Sequence, residues 1–193
     1  MTEIKLDRKL NVVVPVETDK GTVHVHSTPV SRDVFEKYAP IIGKTFSQLY
    51  GGGYILHVMP RVAYLILKGL AEKEGVWEGD QGVKLGLIEE IRRLTNVTVL
   101  LETGWRSIPY FEAVRHGYLT AEDAAEVDNI LVFFTAASVV HTKKELHLVL
   151  PGASLTWGGS TTYLDCTAFA ASLPISTPEE NTGEKVILSS IPS

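Results

Sequence analysis

A single cysteine, Cys166, stands in 193 residues. The chain cannot close an intramolecular disulfide or build a cysteine-based metal cluster, and this usage fits a reducing compartment. Positive charge is also short: 18 Lys and Arg stand against 23 Asp and Glu, a formal net charge of −5. Because a dedicated nucleic-acid binder needs a basic surface to neutralise phosphates, no nucleic-acid partner is expected. Long apolar runs are missing too. The longest, Ile130–Val140, is too short to span a bilayer, and Met1–Arg8 is charged where a secretory signal would be apolar. The expectation is a soluble intracellular protein with no membrane partner. Hydrophobic residues at 45% and charged residues at 21% nonetheless suffice for one globular core and exclude a disordered chain.

Assembled chemistry is the next thing missing. His24 and His26 lie two apart on a predicted strand and share a face, yet a metal site needs further ligands, and no second cluster stands at matching spacing. Cys166 sits among Ala and Thr without the surroundings of a cysteine protease and suits a small packed side chain. Gly51-Gly52-Gly53 follows a helix and has no Lys-Ser or Lys-Thr after it, so it stops a helix and does not cradle a phosphate. Thr156–Ser160 makes no nucleophile elbow, since Ser160 is followed by Thr161 and Thr162 where the second glycine would stand. No catalytic residue, cofactor or metal is expected, and the chain is not expected to be an enzyme.

What the sequence does contain is mostly helical periodicity. Leu10–Val16 and Thr22–His26 alternate around Asp19-Lys20-Gly21 and predict a β-hairpin. Ser31 then caps a helix whose apolar stripe runs from Val34 to Tyr50, with Pro40 expected to kink or divide it. Pro60 opens a second helix to about Glu74, and Val83, Leu87, Ile88, Ile91 and Leu94 mark a third, stopped at Asn96. Val97–Leu101 has the composition of a short strand. Pro109 opens a short helix closed by Gly117. Thr120 with Asp123 forms a capping box for the clearest helix, carried by Val127, Ile130, Leu131, Phe134 and Ala137. A second such pair, Thr162 and Asp165, predicts a last helix with Leu164, Phe169 and Leu173 as contacts. From Pro174 onward Pro, Ser, Thr, Asn and Gly dominate.

The predicted fold is therefore mainly α: about six helices in one bundle-like core over residues 1–173, a short β-hairpin segment within 1–28, and an extended, flexible tail over 174–193. Glu89-Glu90 and Arg92-Arg93 stand at helical pairing distances and predict a solvated, ion-paired face. The loop tryptophans Trp77, Trp105 and Trp157, and the apolar patch Val186-Ile187-Leu188 in the tail, are the candidate protein-binding residues. Such side chains either anchor a partner or cap the edge of a core.

Three stretches carry a family resemblance. They are Arg8–Glu17 continued by His26–Arg32 and Val34–Tyr38; Gly75–Gly79 with Glu90–Asn96; and Phe133–Ser138 with Phe169–Pro174 and Ser189–Ser193. On these the chain resembles the tail assembly chaperones of long-tailed bacteriophages. The resemblance implies a mostly helical, non-enzymatic protein in the host cytoplasm that coats the tape-measure protein, recruits tail-tube subunits and is absent from the mature virion. It defines no catalytic residues. Self-association is expected, since a factor coating a long client gains from multivalency. The competing class is a structural virion component, a head–tail connector or minor tail protein held permanently in a ring.

Overall fold

The computed structural model describes residues 3–6, 11–55, 57–140 and 160–163. Three strands come first: β1 (Glu3–Leu6), β2 (Val12–Thr18) and β3 (Gly21–Ser27). Helices α1 (Arg32–Gly51) and α2 (Met59–Lys73) follow, then a π-helical turn at Lys84–Ile88 that runs directly into α3 (Glu89–Arg93). The chain continues through β4 (Thr95–Leu101), β5 (Gly104–Pro109), α4 (Tyr110–Arg115), α5 (Ala121–Val140) and β6 (Ser160–Tyr163).

The strands form one six-stranded sheet in the order β5-β4-β3-β2-β1-β6. Every neighbouring pair is antiparallel except β1 and β6, which run parallel. This overturns the expectation of a mainly α, bundle-like core of about six helices. The described residues hold five helices, counting α3 with its π turn as one, packed against a predominantly antiparallel sheet.

The reasons lie in particular residues. The predicted hairpin exists, with Thr18 opposite Gly21 and a two-residue loop between them. Gly21 takes φ +103°, a backbone that L side chains rarely adopt. But this hairpin is the middle of a sheet, because β4 pairs with β3 on one side and β1 with β2 on the other. The third helix stops at Arg93, three residues before the predicted Asn96, since Thr95, Val97 and Val99 are β-branched and turn inward in β4. β5 pairs with β4 along its whole length, although its Trp-Arg-Ser-Ile-Pro stretch has no clean alternation. Ser160–Tyr163 is a strand where the last helix was expected to begin; the rest of that predicted helix, and the predicted tail over 174–193, lie outside the described residues.

α1 starts where the sequence placed it, with Ser31 Oγ accepting from the Val34 amide at 3.4 Å. It runs through Pro40 as one element. Pro40 is exposed, so the carbonyl left without an amide donor one turn earlier faces water. The Thr120–Asp123 capping box also forms: Asp123 Oδ2 accepts from the Thr120 amide at 2.8 Å, and Thr120 Oγ1 accepts from the Asp123 amide at 3.2 Å.

The core has α5 at its centre. α5 packs on β2 and on both α1 and α2, and Val127, Ile130, Leu131, Val132, Phe133, Phe134, Ala136 and Ala137 are all buried. A helix buried on every face needs neighbours on every side, and that requirement arranges the other elements around it. On the sheet, Val14, Val25, Val97 and Ile108 stand side by side in one row turned to this core. Among the described residues no helix is long and apolar enough to cross a membrane.

The π turn packs against α1. The Tyr38 hydroxyl reaches the carbonyls of Gln81 at 3.1 Å and Gly82 at 3.3 Å. Gly86 lies directly beneath it: a Cβ added there would overlap the Tyr38 hydroxyl and come within 2.6 Å of its ring carbon. Gly86→Ala is expected to destabilise the fold by about 1–3 kcal/mol, as overpacking a filled site does. A urea midpoint equal to that of the parent chain would show instead that the ring yields freely.

Candidate functional site

A pocket opens at the end of the sheet where β3 hands over to α1. Its floor is built from Ser27 at the last position of β3 and Val12 at the first of β2, which are register partners. Its wall is the chain Thr28-Pro29-Val30 leading to the α1 cap. That chain is fastened to the end of α3 by the Thr28 amide, 3.1 Å from the Leu94 carbonyl, and by the Thr28 hydroxyl at 3.3 Å. The far side is one stripe of α5: Leu131, Phe134, Thr135 and Ser138 follow the three- and four-residue spacing that puts side chains on one helix face. Phe35 and Ile91 close the rim.

The polar groups in this wall are mostly spent on the fold. Thr135 Oγ1 donates to the Leu131 carbonyl at 2.8 Å, and Ser138 Oγ donates to the Thr135 carbonyl at 2.7 Å. Thr95 Oγ1 donates to the Ile91 carbonyl at 2.7 Å. Its single proton is thereby used, so at 2.9 Å it accepts from Ser27. What remains toward the opening is mostly carbon. The pocket encloses about 290 Å³, at the small end of the range for ligand sites, and it suits one or two apolar side chains better than a polar substrate. Arg32 at its rim is bound to Glu36 at 2.6 Å.

A second group of functional-looking side chains lies where α3, α4 and α5 meet. Asp128, 6% exposed, receives Arg92 through Nε at 3.1 Å and through a second guanidinium nitrogen, and accepts from the Tyr110 hydroxyl at 3.2 Å. Arg92 also holds Glu89 at 2.7 Å. Donating to the Asp128 carboxylate drives the Arg92 pKa up against its burial, and burial drives the Tyr110 hydroxyl up, with the Asp128 charge adding to it. This carboxylate is enclosed and its oxygens are occupied, so the group clamps three helices together and offers no free base. The next residue, Asn129, accepts from the Tyr64 amide at 3.0 Å and donates to the Ala125 carbonyl at 2.9 Å, tying α5 to α2.

Comparison with family models, with curated proteins and with solved structures finds no match to this chain.

The sequence candidates are scattered. Trp77 is 6% exposed, edge-on to Tyr64 at 6.0 Å and with the Lys68 ammonium 5.9 Å from its ring, so it closes the margin of the core. Trp105 lies on β5, its ring 5.5 Å from that of His24 on the neighbouring part of the sheet. Trp157, the Val186-Ile187-Leu188 patch and Cys166 lie outside the described residues. His24 and His26 stand on one face of β3, and no group of three or more His, Cys, Asp or Glu gathers to hold a metal among the described residues. The charged pairs of α3 divide: Arg93 reaches Glu90 at 2.6 Å on the surface, whereas Arg92 turns inward to Asp128 instead of joining a solvated face.

Sequence reasoning missed the pocket-lining Val30, Phe35, Thr135 and Ser138. Thr135 and Ser138 carried a usable signal, two hydroxyls on the apolar stripe of α5 whose bonds fall back on their own helix. Removing the buried carboxylate of the clamp is the sharpest test of its role. Asp128→Ala is expected to cost about 3 kcal/mol, the low end for breaking a buried ion pair, because Arg92 keeps 24% of its side chain exposed. Tyr110→Phe, which deletes only one donor, is expected to cost about 0.5–1.5 kcal/mol. Chemical denaturation of the two variants decides it, and equal costs would deny the carboxylate its part.

Proposed function

We propose that the chain is a non-enzymatic tail assembly chaperone of a long-tailed bacteriophage. In this reading it binds the tape-measure protein, gathers tail-tube subunits in the host cytoplasm and leaves before the particle is complete. Two things support the reading: the resemblance carried by the stretches from Arg8, Gly75 and Phe133, and the apolar pocket between Val30, Phe35 and the Leu131–Ser138 face of α5.

The pocket is the observation that carries it. A tape-measure protein is a long helical client whose apolar face must stay covered until the tube grows around it. A groove lined mostly by carbon, with the Thr135 and Ser138 hydroxyls engaged on their own helix and Arg32 paired with Glu36, takes a protruding apolar side chain of such a helix at little polar cost. Holding many weak sites along one client then yields strong coating through multivalency.

The test is capture of the tape-measure protein by the purified full-length chain. The parent chain is expected to retain it, and Val30→Glu to lose capture more than tenfold, since burying an unpaired carboxylate costs more than the roughly 1.4 kcal/mol that a factor of ten represents. Val30 is half-buried against the core in the β3–α1 connection, so the unfolding temperature of this variant is measured beside capture, and Val30→Ala, which adds no charge, is expected to keep the fold while weakening capture. Failure of the parent chain to capture the client would reject the reading. Stoichiometric copies of the chain in purified particles, measured by mass spectrometry, would replace it with the structural virion component.

A further inference from the structure

Four of the residues around the pocket bear hydroxyls: Ser27, Thr28, Thr135 and Ser138. A hydroxyl has one proton to give and lone pairs with which to accept, so its partner decides where that proton goes. Carbonyl oxygens cannot donate. Thr135 therefore gives its proton to the Leu131 carbonyl at 2.8 Å, and Ser138 gives its own to the Thr135 carbonyl at 2.7 Å. The Thr28 proton goes to the Leu94 carbonyl at 3.3 Å. Thr95 donates to the Ile91 carbonyl, which leaves Ser27 to donate to Thr95 at 2.9 Å. None of the four keeps a proton for an occupant, and each keeps oxygen lone pairs. In the β3–α1 connection the Thr28 amide is bonded to Leu94 at 3.1 Å, and Pro29 has no amide proton. Ser27 is 5% exposed and lies deep, whereas Thr135 and Ser138 are half-buried on the α5 wall, where an occupant meets them.

We propose that this pocket selects an indole: the client side chain it takes is tryptophan, its ring N–H donating to the Thr135 or Ser138 hydroxyl oxygen.

Elimination among side chains supports the choice. An aliphatic or phenyl group fills the space but leaves the lone pairs without a donor. Asn, Gln, Tyr, Ser, Thr and neutral His each bring an acceptor that no hydroxyl here can satisfy. Lys and Arg bring a charge into a mostly apolar recess. A carboxylate finds the rim cation, Arg32, already held by Glu36 at 2.6 Å. Arg32 is also 87% exposed, so its other N–H groups stand in water outside the recess. Tryptophan is the uncharged side chain that donates and never accepts. Shape agrees with chemistry. About 290 Å³ holds one two-ring system, and Phe35 and Phe134 line it with aromatic surface. The inference rests on the pocket being a docking site for a client side chain, as the chaperone reading has it.

The experiment needs the full chain and two small probes. Indole and benzofuran share a shape, but benzofuran carries an oxygen in place of the N–H donor. Each is titrated, up to its solubility, into methyl-labelled protein, and both are expected to shift the NMR signals of Val30 and Leu131. Indole is expected to bind roughly three- to tenfold more tightly, the worth of one hydrogen bond. Equal affinities, tighter benzofuran, or no shift with either probe would overturn the proposal. The chain carrying Thr135→Val and Ser138→Ala supplies a second measurement. Both hydroxyls bond back onto α5 itself, so the helix is expected to persist without them. In that chain indole and benzofuran should bind alike, and a preference that survives intact overturns the assignment. The two readings part cleanly. Failure of the parent chain to capture the tape-measure protein, with the indole preference present, rejects the chaperone alone. Capture by a chain indifferent to the N–H rejects the indole alone.

Discussion

The fold depends on the stretch Val127–Ala137 of α5 having no face to show to water. From Val127 to Ala137 apolar side chains point in every direction around the helix, and each direction needs a neighbour: the sheet through β2, α1 and α2. Burial of this kind is non-directional and would tolerate many rotations of the helix about its axis. Two adjacent polar residues remove that freedom. Asp128 and Asn129 project about 100° apart on a helix of 3.6 residues per turn. One binds Arg92 and Tyr110, the other the backbone of α2. The hydrophobic effect brings α5 inside, and the pair of polar side chains fixes which stripe faces which partner. The pocket follows from that setting, because it is the stripe of α5 from Leu131 to Ser138 that meets the β3–α1 connection.

Local signals were legible where the cause is local. Ser31, Thr120 with Asp123, and Asp19-Lys20-Gly21 are each explained by the residues within four positions of them, and the caps and hairpin are where those residues put them. The architecture was not legible, for reasons that are also physical. A strand of four residues such as β1 has too little sequence to show a period of two, and β5 borrows its regularity from hydrogen bonds to β4. β4 could be suspected from its valines, but its partner is β3, about seventy residues earlier, and no pattern within a window of sequence reveals that. The uncharged run at Ile130–Val140 was the best clue available to the architecture: a helix apolar on all sides implies that something other than a simple ring of amphipathic helices surrounds it. For the candidate site, the tryptophans drew attention because they are large, yet Trp77 is consumed by the core. The side chains that line the pocket are ordinary ones whose importance comes from meeting across three elements.

The proposed chaperone role would require the chain to keep its own apolar surface divided into parts too small to aggregate. The described surface has that character. Leu65, Leu85 and Phe111 are exposed on separate elements and Ile55 on the α1–α2 connection, while the concentrated apolar lining is recessed between α1, α5 and the sheet. A recess admits a single protruding side chain and excludes the flat face of another folded protein, so it favours a helix presenting isolated apolar residues over promiscuous sticking.

The pairing of β1 with β6 joins residues 3–6 to residues 160–163. During synthesis the first of these emerges long before the second, and the hydrogen-bonding edge of β1 stays open through the making of every helix in between. That edge is a template for any extended strand it meets, including the same strand of a neighbouring nascent chain. Contacts so distant along the chain also close slowly. On a polysome translating many copies at once, the interval before Ser160 arrives is thus the time at which this protein is most exposed to pairing with the wrong molecule.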